Sequence, residues 1–157
     1  MGNSDTFFNA IRNGDLLLVS KMIDENQSLL HAKDQRGSTP LILATYYNHE
    51  DVATFFVEKG ANIDAVDGSG NTALMGVCFK GYTDIAKKLI SYGADVNVQN
   101  GMGATALIYA ATFKQLEIAQ LLLDNGVDKT VKDGRGNTAL DHAKLQGMAT
   151  LIDLLEP

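Results

Sequence analysis

The chain has 157 residues, 45% of them apolar and 20% charged, and its 13 Lys and Arg against 19 Asp and Glu leave a formal net charge of −6. That apolar share can bury a core, which excludes a disordered chain, and the acidic balance argues against nucleic acid, whose phosphates need an excess of basic side chains on one face. One Cys cannot close an internal disulfide, and 15 Gly beside 2 Pro without a Gly-X-Y period excludes collagen while demanding many tight or left-handed backbone positions.

At the N-terminus, Met1-Gly2-Asn3-Ser4-Asp5-Thr6 fits the template for acylation of Gly2, but no polybasic stretch follows to supply the second signal a stable anchor needs. Asp5 or Thr6 is then expected to cap a first helix. A second helix after Gly14 carries the apolar stripe Leu18, Val19, Met22, Ile23. Asn26 follows where a left-handed residue is expected, Asn being the commonest non-glycine able to adopt that conformation. No signal-peptide core precedes these elements and no apolar run approaches about 18 residues, so a cytoplasmic protein without a membrane span is the expectation.

From residue 34 the chain is periodic. Gly37, Gly70, Gly103 and Gly136 are 33 apart, and the same step relates Thr39, Thr72, Thr105 and Thr138, then Leu41, Leu74, Leu107 and Leu140. Asp34, Asp67, Asn100 and Asp133 keep it too, as do Gly60, Gly93 and Gly126. The register divides a single domain into a leading unit 1–33, internal units 34–66, 67–99 and 100–132, and a closing unit 133–157.

Each unit opens on a tight turn in which an Asx side chain accepts backbone hydrogen bonds and Gly takes the unusual dihedral. Thr follows as N-cap, with Pro40 or Ala at the first helical position, and a short helix runs to about Tyr47 in the second unit. A turn at Asn48, Gly81, Lys114 or Gly147 leads to a second helix. Its stripe is Val52, Ala53, Phe56, Val57, repeated as Ile85, Ala86, Leu89, Ile90 and as Ile118, Ala119, Leu122, Leu123. The closing unit has Leu151, Ile152, Leu155 and then Glu156, a polar finish that suits a terminal repeat. One such hairpin cannot bury its stripe alone, so the fold class expected is all-α, a solenoid of stacked helix-turn-helix units with β-turn tips.

Thr39-Pro40-Leu41-Ile42-Leu43-Ala44, Gly60-Ala61-Asn62-Ile63-Asp64 and Gly93-Ala94-Asp95-Val96-Asn97, at a period of 33, resemble ankyrin repeats over essentially the whole chain. The family's usual His after Thr-Pro-Leu is replaced here by Ile42, Met75, Ile108 and Asp141, and Cys78 takes a place usually held by Ala. The resemblance implies a non-catalytic module that binds a partner protein along its concave side, through turn tips and the exposed ends of the first helices. Carried over residue by residue, this singles out Tyr46, Tyr47, Phe79, Lys80, Thr112 and Phe113 at helix ends, with Arg36, Met102 and Arg135 at turn tips. Aromatics at that step are expected to form a ladder with basic edges suited to an acidic or amphipathic segment, Tyr46 and Phe79 being more prone to pack between repeats than Tyr47 and Phe113.

Other chemistry is weighed against this. Gly68 to Ala73, Gly101 to Ala106 and Gly134 to Ala139 all read G-x-G-x-x-A, but a dinucleotide loop should occur once, at the first βα turn of a parallel sheet, so repeat turns are the reading. Asp67-Gly68-Ser69-Gly70-Asn71 lacks the glycine and acid that a calcium loop needs at its sixth and twelfth places, and Cys78, His31, His49 and His142 have no zinc-ligand spacing. No cofactor, metal or catalytic set is therefore expected. A self-associating scaffold is the alternative to a monomeric binder of other proteins, and a small-ligand or enzymatic role ranks below both.

Overall fold

A computed structural model describes residues 3–157, so Gly2 and its acylation template lie outside the described residues. The described residues form ten α-helices and one 3-10 helix joined by turns and loops, without a strand. The helices are α1 (Asn3–Arg12), α2 (Leu16–Glu25), α3 (Pro40–Tyr46), α4 (Glu50–Glu58), α5 (Ala73–Lys80), α6 (Thr83–Ser91), α7 (Ala106–Thr112), α8 (Leu116–Asp124), α9 (Ala139–Gln146) and α10 (Ala149–Leu155), with the 3-10 turn at Gln27–His31. The chain divides into two compact units, one ending at Ala73 and the other beginning at Leu74.

In the first unit α1 packs on α3 and α2 on α4. Phe7 and Phe56, both fully buried, meet edge to face at 6.1 Å between ring centroids, and Val19, Ile23, Val52 and Ala53 complete the contact of the second helices. In the second unit α6 packs on α8, α8 on α10 and α7 on α9. Small residues fully buried on the first helices, Ala110, Ala111 and Ala143, let neighbouring helices approach closely.

The repeat punctuation takes the expected form. Thr39, Thr105 and Thr138 cap their helices, each Oγ1 accepting from the amide three residues on at 3.2 Å. Three of the places where a histidine is missing, Ile42, Met75 and Ile108, are buried and apolar. The fourth, Asp141, instead closes a reciprocal capping box by accepting from the Thr138 amide at 3.0 Å. Gly60, Gly93 and Gly126 stand at positive φ after the second helices, and Asn48 and Lys114 adopt the left-handed conformation without being glycine, at φ 63° and 58°.

Two expectations at the leading unit are corrected. α1 is helical from Asn3, so Asp5 lies inside its first turn, where a carboxylate meets the positive end of the helix, and is not a cap. Asn26 is extended, at φ −150°, because the longer exit loop here continues into the 3-10 turn, which Asn26 caps by accepting from the Ser28 amide.

Candidate functional site

Each unit has two Asx turns, at Asp34 and Asp67 in the first and at Asn100 and Asp133 in the second, and the sequence places Arg36, Met102 and Arg135 at their tips. In each turn, one Asx oxygen accepts two backbone amides: Asp34 from Arg36 and Ser38, Asp67 from Ser69 and Asn71, Asn100 from Met102 and Ala104, Asp133 from Arg135 and Asn137, all between 2.9 and 3.0 Å. Within each unit the two turn tips are joined by a backbone bond. Gly68 donates to the Arg36 carbonyl at 3.1 Å in the first unit, and Gly134 to the Met102 carbonyl at 2.8 Å in the second. Gly68 and Gly134 are therefore glycine for closeness, since a Cβ would sit 2.9 and 3.1 Å from those carbonyl oxygens.

The other atom of each Asx side chain is where the turns diverge. Asp34 pairs with the Arg12 guanidinium at 3.5 Å. The Asn100 amide donates to the Tyr109 hydroxyl at 3.0 Å, and Asp133 meets His142 Nε2 at 2.8 Å. The His142 hydrogen bond, seconded by the Asn137 amide, holds the Asp133 carboxyl below the usual carboxylate range.

In the first unit the turn tips, the exposed side of α1 and the end of α3 enclose an open groove of about 820 Å³. Phe8, Ile42 and Leu43, nearly buried, present its apolar surface, and Tyr46 and Tyr47 stand beside it at 40% and 44% exposure with their rings edge to face at 5.6 Å. Arg12, Lys33 and Arg36 also line it. His49 fixes the neighbouring chain: as N-cap of α4 its Nε2 bonds the Arg12 carbonyl at 2.8 Å, and its ring fills the space a side chain at Gly14 would need.

In the second unit Phe79 and Phe113 meet edge to face at 4.6 Å, and Tyr109, one helical turn before Phe113, stacks on it at 6.3 Å. Phe79 is 40% and Phe113 41% exposed, so the four aromatics are alike in exposure and the expected division between packed and open members of each pair does not hold. Each of the four touches a neighbouring ring and keeps about two-fifths of its surface exposed. Tyr109 was not singled out by sequence; its spacing of four from Phe113 was the available signal. Lys80 Nζ lies 5.8 Å from the Tyr82 ring, Thr112 turns its hydroxyl back to the Ile108 carbonyl, and Met102 and Arg135 are exposed at the tips.

Cys78 is fully buried, and burial pushes its thiol far above the ordinary range, against nucleophilic use. Among the described residues no three His, Cys, Asp or Glu side chains gather as a metal site, no buried side-chain polar atom lacks a partner, and no helix is long and apolar enough to cross a membrane. A family profile described as ankyrin repeats (3 copies) matches residues 7–100 and again 77–156. The chain belongs to the ankyrin-repeat family. Ankyrin repeats are in general protein–protein interaction modules and in general not enzymes. No curated protein matches this ankyrin-repeat chain.

Proposed function

We propose that this chain is a non-catalytic module that binds a partner protein on the side bearing its turn tips and first-helix ends. The reading takes it as one ankyrin-repeat domain of five repeats, 1–33, 34–66, 67–99, 100–132 and 133–157, the first and last acting as caps. Tyr46, Tyr47, Phe79, Lys80, Thr112 and Phe113 supply the helix-end contacts and Arg36, Met102 and Arg135 the tip contacts. The observation that carries it is the first unit's groove, with an apolar surface, two half-exposed tyrosines and cations on one preformed frame. A frame braced by hydrogen bonds from turn to turn loses little entropy on binding, and aromatic side chains in its lining are the usual anchors of an interface.

The test is affinity capture from the native host with the parent protein, Tyr46→Ala plus Tyr47→Ala, and Phe79→Ala plus Phe113→Ala. The double variants keep the parental helical circular dichroism and lose the captured partner by about tenfold or more, the scale of one to two hot-spot side chains. Folded variants that both retain every partner sink the assignment.

A further inference from the structure

Between the second helices α8 and α10 of the second unit runs an open groove of about 600 Å³, lined by Leu116, Glu117 and Gln120 on one wall and Thr150, Asp153 and Leu154 on the other. Its surface is mainly apolar, with Leu116 and Leu154 half-buried. We propose that this groove is a second docking site, for a basic amphipathic helix of a partner protein. Leu116 and Leu154 take the helix's apolar stripe, and Glu117 and Asp153 take the Lys or Arg beside it. The inference goes beyond the tip-side reading and does not rest on it, since none of the residues named there lines this groove.

The sign of the lining commits the occupant's charge. Glu117 and Asp153 are its only charged residues, and both are exposed. α8 carries Glu117 and Asp124, α10 carries Asp153 with Glu156 just beyond it, and neither helix has a Lys or Arg. Lys87 of α6 reaches Glu117 at 3.6 Å, but the two side chains are 55% and 71% exposed, a solvent-screened pair that leaves Asp153 unmatched. Lys114, ahead of α8, and Lys129, whose Nζ donates to the Glu156 carbonyl at 3.4 Å, stand outside the lining. The second unit, with eight Lys and Arg to nine Asp and Glu, and the whole chain at −6 add no opposing field. A cationic segment is therefore drawn to the groove and an acidic one repelled.

The walls also decide the occupant's conformation. Among the described residues there is no strand, so an extended segment laid on this apolar floor finds no sheet edge for its amides, whereas a helix satisfies its own. Walls of nine and seven residues span about 10–14 Å at 1.5 Å per residue, the length of two to three turns. The two leucines supply the apolar contact that exposed charge pairs do not provide alone.

Panning a displayed library of helix-biased 15-residue peptides against the purified full chain tests this, with Glu117→Lys plus Asp153→Lys as the counter-target. Peptides recovered on the parent carry an apolar stripe at i, i+3, i+4 and i+7 flanked by Lys or Arg. A synthetic peptide of that type binds the charge-reversed protein about tenfold more weakly by fluorescence anisotropy, as expected for two reversed rim charges. Leu116→Gln plus Leu154→Gln, with parental circular dichroism, also loses the peptide, while Phe79→Ala plus Phe113→Ala binds it as the parent does. Acidic or neutral recovery, no enrichment, binding untouched by charge reversal, or a peptide lost from the phenylalanine variant and kept by the charge-reversed one overturns the inference.

Discussion

The turn edges of the two units share a backbone and part company in their side chains. At Asp34 the spare carboxylate oxygen reaches to Arg12 on α1, and the tyrosines of α3 stand beside an open groove. At Asn100 and Asp133 the spare atom turns inward to Tyr109 and His142 nine residues on, and Phe79, Phe113 and Tyr109 occupy one another. One repeat plan therefore yields a polar-rimmed groove in one unit and a self-packed aromatic cluster in the other. The backbone bonds that make the turn are held constant, while the residue nine places after the Asx differs: Leu43 after Asp34 and Gly76 after Asp67 have no polar side chain, whereas Tyr109 after Asn100 and His142 after Asp133 take the spare atom.

The shared part is broken most severely at its glycines. Gly37→Val and Gly103→Val each force a β-branched residue into φ near +78° and set its Cβ 2.9 and 2.8 Å from the amide nitrogen of the next tip, so each is expected to lose about 3 kcal/mol by conformational cost plus a lost tip bond. Gly93→Val, at φ +94° with nothing near its Cβ, loses only about 1–2 kcal/mol of conformational origin. Urea unfolding ranks the three; equal losses at Gly93 and Gly103 remove the role given to tip-to-tip closeness.

The differing part is sharpened by one aromatic from each unit. Phe113→Ala loses two ring partners and is expected to cost about 2 kcal/mol, whereas Tyr47→Ala loses one and costs about 1 kcal/mol. A thermal melt in which Tyr47→Ala is the more damaging contradicts the contrast between open and self-packed faces.

The smallest effect is a pH dependence. His142→Leu places at 142 the residue type found at the equivalent Leu43 and removes the main cause of the lowered Asp133 pKa. A depressed carboxyl lends stability that is present above the unfolded value near 3.8 and lost as the pH falls through the folded one. The variant is therefore less stable than the parent at pH 5 to 7, and the difference in urea midpoint shrinks toward pH 2. A difference that stays constant with pH assigns the loss to packing instead.

Much of this was legible in the sequence because glycine and threonine at a fixed period have few physical readings: positive φ at Gly60, Gly93 and Gly126 and caps at Thr39, Thr105 and Thr138 follow from residue type and place. What escaped depends on contacts between turns or on loop length. Gly68 looks like a dihedral glycine and is a contact glycine; Asn26 has the right residue type, but one extra loop residue gives its backbone another task. At the site, the helix-end places of Tyr46, Tyr47, Phe79 and Phe113 were readable from register, but their equal exposure was not. Which rings would meet was not, since Tyr109 touches Phe113 through a helical turn that the 33-residue step does not describe.

Cys78, fully buried in the second unit with its thiol kept protonated by that burial, is a latent reporter. A maleimide or disulfide reagent can reach it only when the packing around α5 opens, so the labelling rate of the unmodified protein measures that opening. A bound partner that rigidifies the unit slows the labelling, and one that does not leaves the clock running at its free rate.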